Sequence, residues 1–203
     1  MSKLLSMMME SSGGGRALNA TIVGNPIVSS DFVVSNFYQN SYTSTTGNYL
    51  IANLNEDLAP LANKKFNFTI KFKPYSAPTQ DYNYMGITGF YNNNSPLYVW
   101  LTKNNKIGIT YTSDIGTTAV LNTWNWLRFY NDGSFNTYII QTSLDGETFT
   151  TTYTAGLYKI QKNFPIGRVI STSNFAGSAF NGEIDMKETF IEYDNNMVWQ
   201  GVI

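Results

Sequence analysis

Phe180-Asn181-Gly182-Glu183-Ile184-Asp185-Met186-Lys187-Glu188 is the stretch that decides how this chain is read. Ile184 and Met186 alternate with Glu183, Asp185 and Lys187, the period of a strand with one face inside and one outside. Residues two apart on a strand share a face, so Glu183 and Asp185 point the same way. Further on, the apolar residues Ile191 and Tyr193 are odd-numbered, so the alternation slips by one. A bulge after Asp185 explains the slip and carries Glu188 onto the face of the other two acids. The plainer reading places Glu183, Asp185 and Lys187 in solvent as mixed-sign neighbours.

The rest of the chain is read outward from this strand. Phe66, Phe68, Ile70 and Phe72 alternate with Asn67, Thr69, Lys71 and Lys73, and Pro74 stops the run. Leu97 to Leu101 and Ile107 to Tyr111 are two strands joined by the turn Lys103-Asn104-Asn105-Lys106. Trp124 to Tyr130, Phe135 to Leu144 and Thr148 to Tyr153 form a meander. Asp145-Gly146 predicts a type I′ hairpin, since both central residues of that turn need positive φ. Asn55 to Lys64, interrupted by Pro60, reads as a loop with one turn. Many short strands with Gly, Asn and Pro turns predict an all-β jelly-roll sandwich of two antiparallel sheets over residues 31–203. Residues 1–30 differ. Ser11-Ser12-Gly13-Gly14-Gly15 has linker composition, and the segment predicts an arm that is disordered or orders on a partner.

Composition excludes several chemistries. The 203 residues contain no Cys and no His, which removes disulfides, thiolate and imidazole metal sites, and His-dependent nucleophile systems. Only an oxygen-ligated cation remains chemically open. No Asp-rich calcium loop is present, so neither metal nor cofactor is expected. A net charge of −1 with 13% charged residues gives no basic stripe for nucleic acid. Met1 to Met9 is too short to export or anchor the chain, so no membrane insertion is expected. Asn19, Asn67 and Asn93 match the glycosylation sequon by coincidence on this reading.

The order of motifs resembles a known superfamily. Asn122-Thr123-Trp124, Ser143-Leu144-Asp145-Gly146, Gly182-Glu183-Ile184-Asp185 and the closing Trp199-Gln200-Gly201 together are similar to concanavalin A-like lectin and glucanase domains. The likeness is to the laminin-G-like branch carried on tailed-bacteriophage virion proteins, and covers about residues 30 to 203. It implies a non-catalytic structural or adhesion protein of a virion, made in the host cytoplasm. The arm would contact other virion proteins, the protein would be a homo-oligomer, and the sandwich would bind host-surface glycans. A free carbohydrate-binding module is the alternative.

A third reading is catalytic. Glu183, Asp185 and Glu188 have the E-x-D-x-x-E spacing of a retaining β-glucanase strand, with Glu183 as nucleophile, Glu188 as acid/base and Asp185 between them. Such a pair must stand about 5–5.5 Å apart. Against it, only a short tail follows Glu188, and Lys187 puts a charge inside the motif.

For sugar stacking the candidates are Tyr98 and Trp100 on one strand, and Trp126 and Tyr130 on another. Each opposes an apolar face, so the rings either lie open on a sheet or fill space beneath a loop. Trp124 and Trp199 read as core. Tyr82, Tyr84, Tyr91 and Asn92–Asn94 sit in or beside long loops that suit recognition or subunit contact.

Overall fold

The computed structural model describes residues 16–39, 46–61, 63–79, 84–91, 97–110, 114–134, 136–171 and 177–203. The strands in chain order begin with β1 (Thr21–Val23), β2 (Ile27–Val28), β3 (Val33–Ser35), β4 (Tyr38–Gln39) and β5 (Gly47–Asn53). Next come β6 (Lys65–Pro74), β7 (Tyr84–Tyr91), β8 (Tyr98–Leu101), β9 (Ile107–Ile109), β10 (Asn125–Asp132), β11 (Thr137–Ser143) and β12 (Thr150–Gly156). The last are β13 (Asn163–Ile166), β14 (Ile170–Ser171), β15 (Gly177–Ala179), β16 (Gly182–Tyr193) and β17 (Asn196–Gln200). No helix occurs among the described residues.

Two sheets are built from these strands. One is nine-stranded, in the order β1-β5-β13-β7-β8-β9, with β4 on β5 and both β14 and β15 on β7. The other is eight-stranded, in the order β12-β11-β10-β6-β16-β3-β2, with β17 on β16. The chain passes back and forth between the layers, the path of a jelly roll.

The sandwich core is the product of period-two strands. Phe66, Phe68, Ile70 and Phe72 of β6 and Leu127 and Phe129 of β10 face Leu50, Ile87, Val99 and Phe164 of the opposite sheet, all buried. The Phe68 ring stacks on Phe129 at 5.7 Å and meets the edge of Phe164 at 5.9 Å. Trp199 is buried too, with its indole N–H donating to the carbonyl of Asn19 at 3.0 Å.

Three details differ from the sequence reading. The strands β14 and β15 run parallel to β7. β13 pairs with β7 only at Ile166 and Thr88, which leaves the rest of that edge of β7 to be completed by short returning pieces. The second difference concerns the arm expected over residues 1–30, of which 1–15 lie outside the described residues. From Ala17 onward the chain belongs to the sandwich: Ala17 and Ile203 exchange backbone hydrogen bonds, β1 pairs with β5, and β2 pairs with β3. These strands are two or three residues long, too short to show alternation. The third is the Asp145-Gly146 turn, in which Asp145 accepts the N–H groups of Glu147 and Thr148. Tyr82, Asn92–Asn94 and Tyr111 lie outside the described residues.

Candidate functional site

The outward positions of β10, β6 and β16 come together as rungs across the eight-stranded sheet. Trp126 stands opposite Lys71, and Lys71 opposite Asp185. Arg128, Thr69 and Phe190 form the next rung, and Tyr130, Asn67 and Glu192 the one after. Glu183 pairs with Lys73 one rung earlier, beside Trp124. The bulge expected after Asp185 is present: β16 runs from Asp185 to Phe190 while β6 moves only from Lys71 to Thr69. Asp185 fastens it, because its Oδ1 accepts the N–H of Lys187 at 3.0 Å and its carbonyl accepts the Thr189 hydroxyl at 2.7 Å. Thr189 is fully buried. Thr189→Val removes that donor while keeping the shape, and should cost about 1–3 kcal/mol, the penalty for an unsatisfied buried acceptor. Urea unfolding checks this through a lower midpoint at unchanged slope.

Of the two acids that the plainer reading put in solvent, Glu183 is half-buried and Asp185 buried, while Glu188 is exposed. Asp185 is only 5% exposed. Lys71 Nζ lies 3.0 Å from Asp185 Oδ2 and 2.5 Å from Glu188 Oε1. The Trp126 indole N–H donates to Glu188 Oε2 at 2.8 Å. Lys73 pairs with Glu183, whose carboxylate also accepts the Tyr75 hydroxyl. Lys71 sits 5.0 Å from the Trp124 ring centre and 4.8 Å from that of Trp126, so the ammonium is held by both charge and ring faces.

These partners set the protonation states. Burial pushes the Glu188 carboxyl up, but hydrogen bonds from Lys71 and Trp126 outweigh it and leave it below the usual range. Glu183 follows the same course, with Lys73 and Tyr75 overcoming burial. The Tyr75 hydroxyl is pushed up to about 12, first by its bond to Glu183 and then by burial. Burial opposes the charge on Lys71, yet Glu188 and Asp185 hold its pKa above the ordinary lysine value. Both candidate catalytic glutamates are therefore ionised at neutral pH.

One wall of the site is the loop between β11 and β12. The expected type I′ hairpin does not form. Gly146 has φ +79°, but Asp145 is absent from the residues with positive φ. Asp145 Oδ1 instead accepts the Ser143 hydroxyl and the N–H groups of Glu147 and Thr148, at 2.8–2.9 Å, which widens the turn. Those bonds, Thr148's N–H first, hold the Asp145 carboxyl far below its usual range. Gly146 lies against the indole of Trp126, where a Cβ would come within 2.9 Å of the ring. The loop thus closes over the outer face, and Phe149 meets the Arg128 guanidinium at 3.8 Å.

Two recesses flank Trp126. A cleft of about 480 Å³ is lined by Thr117, Thr118, Asn125, Thr142, Thr150 and Thr152, with no ionisable side chain. A smaller one of about 220 Å³ is lined by Thr69, Trp126, Arg128, Phe149, Lys187 and Glu188.

The four ring candidates are divided between two faces. Trp126 is largely buried and Tyr130 half-buried on this outer face. Tyr98 and Trp100, at 1% and 3% exposure, belong instead to a closed cluster with Val169 and Tyr84 on the other sheet. They were read as possible stacking rings; the second face of β8 is covered, and their rings stack on each other at 4.8 Å. Trp124, which the sequence places in the core, is half-buried on the outer face. The residues not anticipated are Lys71, Lys73, Tyr75, Arg128 and Phe149. Lys71 and Lys73 were visible as outward positions of β6, but their pairing with β16 was not. Among the described residues, no group of three acids is placed to hold a metal ion.

No family profile and no curated protein matches the sequence. Solved structures similar to it, three of which follow, share 11–17% identity. Arcelin-5, a lectin-like defence protein from Phaseolus vulgaris, matches 82% of this chain and 89% of its own at 11% identity and TM-score 0.47. Domain 4 of the arabinanase AbnA from Geobacillus stearothermophilus, solved with arabinotriose, matches 91% and 83% at 15% identity and TM-score 0.41. An endo-1,3-β-glucanase from Streptomyces sioyaensis matches 82% and 76% at 15% identity and TM-score 0.41. Lectin-like proteins and glycan-cleaving enzymes are both among these neighbours.

Proposed function

We propose that this chain is a non-catalytic glycan-binding sandwich whose binding surface is the outer face around Trp124 and Trp126. The observation that carries the reading is the make-up of the surface around Trp126. The Trp126 indole borders a cleft lined with threonine hydroxyls and an amide and free of ionisable side chains, which suits a polyhydroxylated ligand. The state of the acids argues against catalysis. A retaining glycosidase needs one carboxyl that keeps its proton to serve the leaving group. Here Glu183 and Glu188 are each held ionised by a lysine, and Lys71 occupies the space between Asp185 and Glu188.

On the strength of the motif resemblance, the biological setting we propose is the virion of a tailed bacteriophage, with this domain as an attachment component for host-surface glycans. Residues 1–15 would then hold it to other virion proteins, in a homo-oligomer. Cryo-electron microscopy of such a particle should place the sandwich on its exterior.

The binding claim is tested on a glycan array. The wild type should be retained on a subset of glycans, and Trp124→Ala should lose at least tenfold in retention while still melting in one cooperative transition, since the ring is partly exposed. A folded wild type that is retained on nothing contradicts the reading.

A further inference from the structure

The recess over Arg128 has a charge pattern that the hydroxyl-lined cleft lacks. Arg128 is half-buried on the outward side of β10. Its Nε and Nη2 both donate to Gln141 Oε1, at 2.9 and 2.7 Å, so its polar partner is a neutral amide. Its flat faces are taken by rings, with Phe149 at 3.8 Å and Tyr130 at 5.1 Å. Burial lowers its pKa and no carboxylate offsets that effect. A guanidinium withdrawn from water without a counter-anion is costly unless something supplies one.

The surrounding charges do not supply it. Glu188 lines the recess but is engaged by Lys71 and Trp126. Glu192 lies one rung away and accepts the amide of Asn67. Lys187 also lines it and acts on Glu188 only at longer range, and its one ion pair among the described residues is long, 3.8 Å to an Asp31 carboxylate that is 82% exposed. Among the described lining residues, two cations therefore border a small cavity and the one anion, Glu188, is already paired. Its volume is about 220 Å³.

We infer that this recess is an anion subsite, in which Arg128 and Lys187 receive the carboxylate or sulfate of an acidic sugar residue while Trp126 and Phe149 border its ring. The inference rests on the glycan-binding reading above and adds the ligand's charge to it. A planar guanidinium pre-set by two rings matches the two oxygens of a carboxylate or sulfate, and an amine at the same place does so less well.

The test uses the full chain on an array of uronate-, sialate- and sulfate-bearing glycans, each printed beside its neutral counterpart. The sialate and uronate spots separate carboxylate from sulfate as the source. At least one acidic glycan should be retained tenfold or more above its neutral partner. That preference should shrink with added salt, vanish in Arg128→Gln and be partly kept in Arg128→Lys. Both substitutions are compared with the wild type by melting temperature, and the salt dependence of the wild type stands should either variant fail to fold. Neutral retention with no gain from any acidic group overturns this inference and leaves the binding reading intact. A preference that survives Arg128→Gln in a folded protein overturns it as well. Retention on nothing overturns both.

Discussion

Lys71→Met should lower the melting temperature by roughly 6–12 °C at neutral pH. The lysine lies between Asp185 and Glu188, and its side chain and that of Asp185 are 11% and 8% exposed. Removing it leaves a buried carboxylate with no counter-charge, a loss of about 3 kcal/mol. In a domain of this size each kcal/mol moves the midpoint by about 2–4 °C. The pH dependence gives a second signature. In the wild type Glu188 and Glu183 have folded pKa values below their unfolded ones. Their contribution is present above the unfolded value, near about 4.3, and is lost as pH falls through the folded value. Lys71 is raised, so its contribution is complete below about 10.4 and is lost as pH rises through the folded value. Without Lys71, the burial that opposes the Glu188 charge loses its main counterweight, so acid costs the variant less than it costs the wild type. The gap between variant and wild type should narrow from pH 7 to pH 4. Thermal melts across that range check this, and a gap that stays constant contradicts the ion-network account.

Gly108→Val should destabilise by about 3 kcal/mol, as overpacking of a closed site does. Gly108 lies opposite Trp100 in the β8–β9 pair, and a Cβ there would overlap the indole. The indole has little room to move away, because Tyr98 stacks on it and Tyr84 meets it edge-on at 5.6 Å. The partner substitution makes the cause identifiable. Trp100→Ala alone removes a buried ring, at about 3–5 kcal/mol. The double variant should cost at least 1 kcal/mol less than the sum of the two, since the cavity accepts the valine. Equal sums would mean that the glycine serves something other than clearance for the ring.

The fold was legible where one strand face is apolar and the other polar. The alternation of Phe66 to Phe72 marks β6, and the parity change between Met186 and Ile191 marks the bulge of β16. Strands apolar on both faces were harder. The rings of β8 and those of β10 have the same pattern, yet one set is sealed under Val169 and the other borders open recesses. What separates them is which distant segment crosses above, and that depends on tertiary packing rather than on local period. Trp124 was misplaced for the same reason.

The site was half legible. Glu183, Asp185 and Glu188 do share a face, as the bulge argument required. Their chemistry depends on which strand lies alongside, and the register of β16 against β6 sets Lys71 and Lys73 beside them. A single strand's sequence carries no signal for that register. The loop from Ser143 to Phe149 shows the same limit. Asp-Gly marked a turn, but the Ser143 and Asp145 hydrogen bonds that fold it over Trp126 depend on contacts beyond the dipeptide.

The central claim is that the outer face around Trp124 and Trp126 holds a glycan without cutting it. A titration followed by nuclear magnetic resonance, with an array-positive glycan and the tryptophan indole N–H signals assigned, tests both halves in one tube. The account predicts shifts at Trp124 and Trp126, none at Trp100 and Trp199, and an unaltered glycan spectrum. Shifts confined to Trp100 or Trp199, or new reducing-end signals from the sugar, would contradict it.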